Sequence, residues 1–138
     1  MISFVVHMEP RAKGRPRATS IGGVARQYTP AATRHWEHEF AARAEQHQPP
    51  EPLSGPLDLV AVFVFRRPMR LNRRRDPQGL IAHDRKPDID NVLKSTLDSL
   101  ACFFAMGDQQ IARIHATKYY AERGGTPRIE ITIKELSE

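Results

Sequence analysis

Leu57-Asp-Leu-Val-Ala-Val-Phe-Val-Phe65 is the stretch from which the rest of this 138-residue chain can be placed. Only Asp58 interrupts a run of apolar residues, most of them β-branched or aromatic. A run of that length and make-up reads as a strand buried on both faces, near the middle of a sheet. Upstream, residues 2–7 are β-prone and bounded by Glu9-Pro10, which predicts a first strand. Residues 8–28 mix Pro, Gly, Arg and Lys without an apolar period and predict a loop. Thr29-Pro30 supplies a helix start, with Thr29 as N-cap and Pro30 at the first helical position. That helix runs to about residue 47, with Trp36 and Phe40 on its buried side, and Pro49, Pro50 and Pro52 end it.

Downstream of the central strand, the long 67–87 segment predicts a functional or mobile loop, and Arg66–Arg75, with Pro68 and Asn72, an arm that orders on binding. Ile89, Leu93, Leu97, Leu100 and Phe104 then fall at steps of four, four, three and four, one apolar stripe of a helix. Pro87 cannot continue that helix backwards and Asp88 is a good N-cap. Two strands follow at about 110–121 and 127–134, joined by a hairpin turn at Gly124-Gly125, with Ile129, Ile131 and Ile133 facing inward. The expectation is a single small α+β domain spanning 1–138, in β-α-β-α-β-β order, with a mixed sheet packed against helices.

Charge narrows the function. The net charge of +5 is not spread evenly. Residues 8–34 carry Arg11, Lys13, Arg15, Arg17, Arg26 and Arg34 against Glu9 alone, and residues 66–86 carry eight cations against Asp76 and Asp84. Two basic segments in an otherwise acidic chain are the pattern of a phosphate-binding surface, so Arg11, Lys13, Arg15, Arg17, Arg73, Arg74, Arg75 and Lys86 are the expected DNA contacts. Cys102 is the only cysteine, which excludes an internal disulfide and predicts a reducing, cytoplasmic setting. It falls in an apolar run and reads as a buried small hydrophobe. That run, 100–106, is also a candidate dimer contact. No apolar run approaches the roughly 20 residues that span a bilayer, so no membrane partner is expected.

Acids crowd the start of the second helix. Asp88 sits at the cap, Asp90 and Asn91 in the first turn, Lys94 four residues after Asp90, and Asp98 one turn further on. Asp108 follows the helix and can return to Asp88 and Asp90 if the next strand lies beside the helix N-terminus. Two readings stand on these residues. In one, Asp88 caps the helix for about 1 kcal/mol, Asp90 complements its dipole, and Asp90, Lys94 and Asp98 form a surface ladder. In the other, the carboxylates are hard oxygen ligands for magnesium, beside a loop that brings in the polyanion. A calcium hand is excluded, because Leu93 and Ser99 stand where its Gly and Glu belong. His35 and His38 have no third ligand and read as surface residues. Neither a Ser-His-Asp nor a Cys-His nucleophile is visible.

The run Asp88-Ile-Asp90-Asn91-x-x-Lys94-x-x-x-Asp98-x-Leu100, then Asp108-x-Gln110-Ile111, resembles the signature of RusA-type Holliday junction resolvases. Lys13-Gly-Arg-Pro-Arg17, Tyr28-Thr-Pro30 and Lys118 extend the resemblance over most of the chain. It implies a small, homodimeric, magnesium-dependent endodeoxyribonuclease of the kind found in phages and prophages, acting on four-way and related branched DNA, with Mn2+ an acceptable substitute for Mg2+. It further implies that Asp88, Asp90 and Asp108 hold the metal and that Lys94 is the catalytic lysine. Many such proteins carry two adjacent acids at the third position, whereas Gly107 precedes Asp108 here. The rival class is a non-catalytic, structure-selective DNA-binding protein. A manganese-using nucleotide-sugar transferase is a weaker rival, because the short chain and paired basic loops count against it.

Overall fold

A computed structural model describes residues 1–14 and 17–136. Of Arg17, Ala18, Thr19, Ile21, Arg26 and Gln27 it describes the backbone only. The strands are β1 (Ile2–Val6), β2 (Arg17–Ile21), β3 (Val24–Tyr28), β4 (Leu57–Phe65), β5 (Ile81–Ala82), β6 (Ile111–Tyr120) and β7 (Arg128–Glu135). The helices are α1 (Ala31–Ala44) and α2 (Ile89–Ser99). Five strands form one sheet in the order β1-β7-β4-β6-β5, with β4 at its centre, and β2 and β3 form a separate hairpin. The sheet is mixed: β4 runs parallel to β6, and all other neighbours are antiparallel. This is the expected α+β architecture with three strands, β2, β3 and β5, more than the expected order.

β4 is as central as its composition requires, but its two faces differ. Leu57, Leu59, Ala61 and Phe63 are fully buried with Phe40, Val92, Leu100, Phe103, Ile129, Ile131 and Ile133 in one core. On the opposite face Val60 and Val62 are only half-buried. Asp58, at one end of that face, is held below the ordinary carboxylate range by hydrogen bonding to Arg113, 3.0 Å away. Trp36 and Phe40 bury one side of α1, and the Trp36 indole N–H donates to the Glu9 carbonyl at 2.8 Å.

Four expectations need correcting. Residues 17–28 are a hairpin rather than a loop. Gly22 and Gly23, at φ 59° and 81°, supply the two positive-φ positions that a two-residue turn between twisted strands demands. Pro30 is the N-cap of α1 and Ala31 its first residue, with no side-chain capping bond from Thr29. β6 and β7 do not form a hairpin, because β4 lies between them. The crossover through α2 sets β6 parallel to β4 on one side, and β7 takes the other. Finally, the buried stripe of α2 is rotated at its start: Leu97, Leu100 and Phe104 are buried as expected, but Ile89 is exposed and Leu93 half-buried, while Val92, Ser95, Thr96 and Ser99 are buried.

The rotation has a local cause. Residues 11–13 run along α2, where the Lys13 N–H donates to the Asn91 carbonyl at 2.9 Å and the Ser95 hydroxyl donates to the Arg11 carbonyl. The hydroxyls of Thr96 and Ser99 donate back to the Val92 and Ser95 carbonyls, at 3.0 and 2.8 Å, so burying them leaves no donor unpaired. Cys102 is exposed beside Gln48 rather than buried. His35 and His38 are on the surface, as expected.

Candidate active site

Asp88 occupies the N-cap of α2 with extended backbone, φ −66° and ψ 142°, and its carbonyl accepts the Val92 N–H. Its carboxylate makes no capping hydrogen bond. The side chain therefore does not do the work that would explain an aspartate here on structural grounds. Asp90, in the first turn, accepts only the N–H of Asn91, at 2.9 Å. Among the described residues neither carboxylate has an ion pair, and both are exposed to solvent. Lys94 turns away from Asp90 and reaches Asp98 at 3.3 Å.

Asp98 takes a second lysine. Lys13 lies 3.1 Å from Asp98 and donates to Glu37 at 2.8 Å, with its side chain 20% exposed. Burial alone would lower the ammonium pKa, but the two carboxylates outweigh it and raise it. Lys13, an expected DNA contact, thus has its charge matched inside the protein, clamping α1 and α2 together.

The segment leading into Asp88 is fixed from β6. Lys118 donates to the carbonyls of Arg85 and Pro87 at 2.7 and 2.6 Å, tying the acidic turn to the sheet. Beside it is a cleft of about 390 Å³ at the C-terminal ends of β4 and β6, with Phe65, His83 and Tyr120 as its aromatic part and Arg11, Arg66 and Lys86 as its cations. His83 is buried and stacked on Tyr120, ring centroids 4.1 Å apart. Burial lowers its pKa first, and the charges of Lys118 and Arg70 lower it further. Its Nδ1 accepts the Arg85 N–H at 3.2 Å, which assigns the proton of the neutral ring to Nε2.

The remaining basic residues separate into two kinds. Arg11 and Lys86 are exposed at the cleft, and Arg74 and Arg75 are exposed without a hydrogen-bonded partner among the described residues. Arg73 is tied to Asp76, whose carboxylate takes its backbone N–H at 2.7 Å. Arg15 lies outside the described residues, and Arg17 opens β2 with only its backbone described. The 66–80 segment is already organised, contrary to the expectation of an arm that orders on binding. Arg67 donates to the carbonyls of Leu71, Pro77 and Gly79, and Arg123 to those of Arg73 and Asp76.

Asp108 is elsewhere. It opens a short turn, residues 108–110, that leads directly into β6, and the Gln110 amide anchors the turn to the Leu53 and Gly55 carbonyls at 2.9 and 3.1 Å. Ile111 pairs with Leu57 at the start of β4, whereas Lys118, beside the acidic turn, pairs with Phe63 near its end. Seven strand steps of about 3.3 Å put roughly 23 Å between these two ends of β6. One chain therefore brings Asp88 and Asp90 together and leaves Asp108 at the far end. Among the described residues no three His, Cys, Asp or Glu side chains gather closely enough to hold a metal. Gly107 has φ 93°, a conformation that an acid could adopt there only under strain.

A family profile described as Endodeoxyribonuclease RusA matches residues 7–134. The chain belongs to the RusA family. The protein named Uncharacterized protein YqaN, from Bacillus subtilis (strain 168), is 32% identical over 144 residues, which cover 99% of this chain and 97% of that protein. Membership in the RusA family makes the chain a nuclease of the Holliday junction resolvase type. No helix among the described residues is long and apolar enough to cross a membrane. Lys118 was legible only through its place in the family pattern, since a lone lysine in a strand announces nothing. Arg66 was legible as one of the cations of the basic 66–86 segment, whereas Tyr120, which completes the cleft with it, carried no signal of its own.

Proposed function

We propose that this RusA-family nuclease is a magnesium-dependent endodeoxyribonuclease that resolves Holliday junctions and related branched DNA by paired phosphodiester hydrolysis, as a homodimer, with Mn2+ able to replace Mg2+. The observation that carries the reading is the Asp88 carboxylate, which stands at a helix cap without capping it, next to Asp90, which accepts one backbone N–H and has no ion pair among the described residues, at the rim of a basic cleft. Carboxylate oxygens without an ion pair are the donors a hard divalent cation takes, so Asp88 and Asp90 would hold it, and the family pattern adds Asp108, which this chain alone places at the other end of β6. Bound there, the cation would acidify a water and neutralise charge on the phosphoryl oxygens.

The protein's own groups do the rest. Water oxygen attacks phosphorus, the bond to one sugar oxygen breaks, and the departing oxygen takes a proton. Lys94, 60% exposed beside the acids, swings from Asp98 to neutralise charge on the phosphoryl group as it builds. Arg11, Arg66 and Lys86 position backbone phosphates at the cleft, and Arg74 and Arg75 extend the contact. Two sites related by a two-fold axis would cut two opposed strands of a two-fold junction.

The test is cleavage of a labelled four-way junction with and without magnesium, using wild type and Asp90→Asn. The substitution keeps shape and helix start while removing an anionic ligand. Cleavage should disappear and junction binding should persist or strengthen. A variant that cleaves within a few-fold of wild type at saturating magnesium refutes the metal assignment. A wild type that binds junctions and never cuts them leaves the non-catalytic DNA-binding protein as the reading.

A further inference from the structure

The cleft beside the acidic turn is built for more than a phosphate. Pro10, Phe65, Pro87 and the ring of Tyr120 give it apolar walls, and Phe65 and Tyr120 are themselves buried. Backbone phosphates need cations and no such walls, whereas pockets for flat organic groups combine apolar surface with a few placed polar atoms. Two such atoms are present. His83 is only 8% exposed, its Nδ1 is taken by the Arg85 N–H, and its Nε2–H has no hydrogen-bond partner among the described residues. Nε2 keeps access to solvent, and the ring lines the cleft. A largely buried donor left without a partner calls for one from outside the chain.

Glu9 supplies the acceptor. Both of its carboxylate oxygens lean on one donor, the Arg66 N–H, at 3.0 and 3.2 Å, and no ion pair reaches them among the described residues. A carboxylate has about four acceptor sites, so most of them stay open. An acid set among Arg11, Arg66 and Lys86 works against phosphate binding, and only a group that donates hydrogen bonds gains from it. The edge of a nucleobase is such a group, with donors and acceptors side by side on a flat body that packs on apolar walls.

We propose that the cleft takes one unpaired base of the branched DNA, with the Glu9 carboxylate accepting from its edge, the His83 Nε2–H donating to it, and Arg11, Arg66 and Lys86 holding the phosphates around it. The choice of branched DNA rests on the nuclease reading above, whereas the pocket stands on its own atoms. Pro87 lines the cleft and Asp88 follows it in the chain, so the base enters beside the acidic turn. Taking a base out of a continuous duplex costs its stacking and pairing, and the cost is least where the base is already unpaired. A branch point offers that base, so one cleft both favours branched over continuous DNA and makes cutting depend on the base beside the cut.

A cycle between protein and DNA tests it. Labelled four-way junctions carry an abasic sugar at each nucleotide around the exchange point in turn, and their binding is measured without divalent metal for wild type, Glu9→Gln and His83→Asn. Removing the base at one position should cost wild type about tenfold more affinity than it costs either variant, because the variants have already lost the contact. On the junction lacking that base all three should bind alike, and at the other positions the effects should simply add. Additivity within twofold at every position overturns the proposal. Glu9→Gln keeps its shape and a carbonyl oxygen for the Arg66 N–H, so it carries the test if His83→Asn fails to fold. The second arm adds magnesium and places each of the four bases at the coupled position. Glu9→Gln should change the ratio of cleavage rates among them by about tenfold, an outcome that a general loss of stability does not produce, and unchanged ratios overturn the proposal. If wild type never cuts yet the coupling appears, the nuclease reading falls and the pocket stands; if wild type cuts and every cycle is additive, the pocket falls and the nuclease reading stands.

Discussion

Lys13→Met separates two uses of a basic residue that composition cannot tell apart. The substitution keeps the apolar stem and removes the ammonium that Glu37 and Asp98 share at 2.8 and 3.1 Å. All three side chains are less than a third exposed, 15–28%, so water only partly replaces what is lost. Hydrogen bonds to charged groups contribute about 1.5–3 kcal/mol each when well made, and partial exposure brings the pair together to about 2 kcal/mol. For a domain of this size that corresponds to a melting temperature lower by about 6–8 °C. Double-mutant cycles with Glu37→Gln and Asp98→Asn should show the coupling directly. The comparison is Arg11→Met, whose cation is exposed at the cleft. It should leave melting nearly unchanged while reducing the slope of log affinity against log salt by about 0.9. The reasoning is refuted if Lys13→Met melts within about 1 °C of wild type and flattens the salt slope as much as Arg11→Met.

Lys94→Ala should fold normally and bind junctions but cleave about 10²–10³-fold more slowly, whereas a mere partner for Asp98 would cost a few tenths of a kcal/mol and no rate. Lys94→Arg should rescue poorly, because a planar fork does not fit where a compact ammonium works; single-turnover cleavage at saturating enzyme decides both, and near-wild-type rates for Lys94→Ala return it to the surface ladder. His83 gives a pH signature. Its folded pKa is lowered by burial, Lys118 and Arg70, with Asp84 opposing, so its contribution is complete above the unfolded value of 6.5 and is lost as pH falls through the folded one. Wild type should therefore lose stability between pH 7 and pH 5, ahead of the more acidic window in which Asp58 and Glu122 give up theirs. His83→Phe, which cannot take the proton, should flatten that first decline in thermal melts; curves parallel to wild type would show that the ring does not titrate there.

What the sequence yields follows from the range of each physical signal. β4 announces its central position through an apolar run that no other strand here matches, although Val60 and Val62 on one face are only half-buried. α1 and α2 announce themselves through caps, prolines and period. The β2–β3 hairpin was legible too, in Gly22-Gly23 between two β-prone pentamers, but the surrounding arginines obscured it. Pairing between β6 and β7 was a sound local inference from Gly124-Gly125, and it failed for a non-local reason: the α2 crossover had already placed β4 between them. The rotated face of α2 lies further out of reach. It depends on residues 11–13 docking eighty positions away in sequence, through a Ser95 hydroxyl that counts as polar in any periodicity.

The separation of Asp108 from Asp88 and Asp90 is of the same non-local kind, and it bears on how the site is read. The motif spacing says only that Asp108 comes twenty positions after Asp88; it cannot say whether the chain returns. A crossover helix running against its following strand necessarily delivers its N-terminus to one end of the sheet and the start of that strand to the other. No loop adjustment within 108–110 can span the roughly 23 Å of β6 from Ile111 to Lys118, because Gln110 pins the turn to Leu53 and Gly55. If Asp108 serves the same metal as Asp88 and Asp90, the missing length must be supplied by a second chain. Catalysis would then scale with dimer concentration even when every protomer is folded. Dilution of wild type below its dimer dissociation constant should abolish cleavage while Asp88 and Asp90 keep their places, and a specific activity independent of dilution across that range would argue that each chain is complete alone.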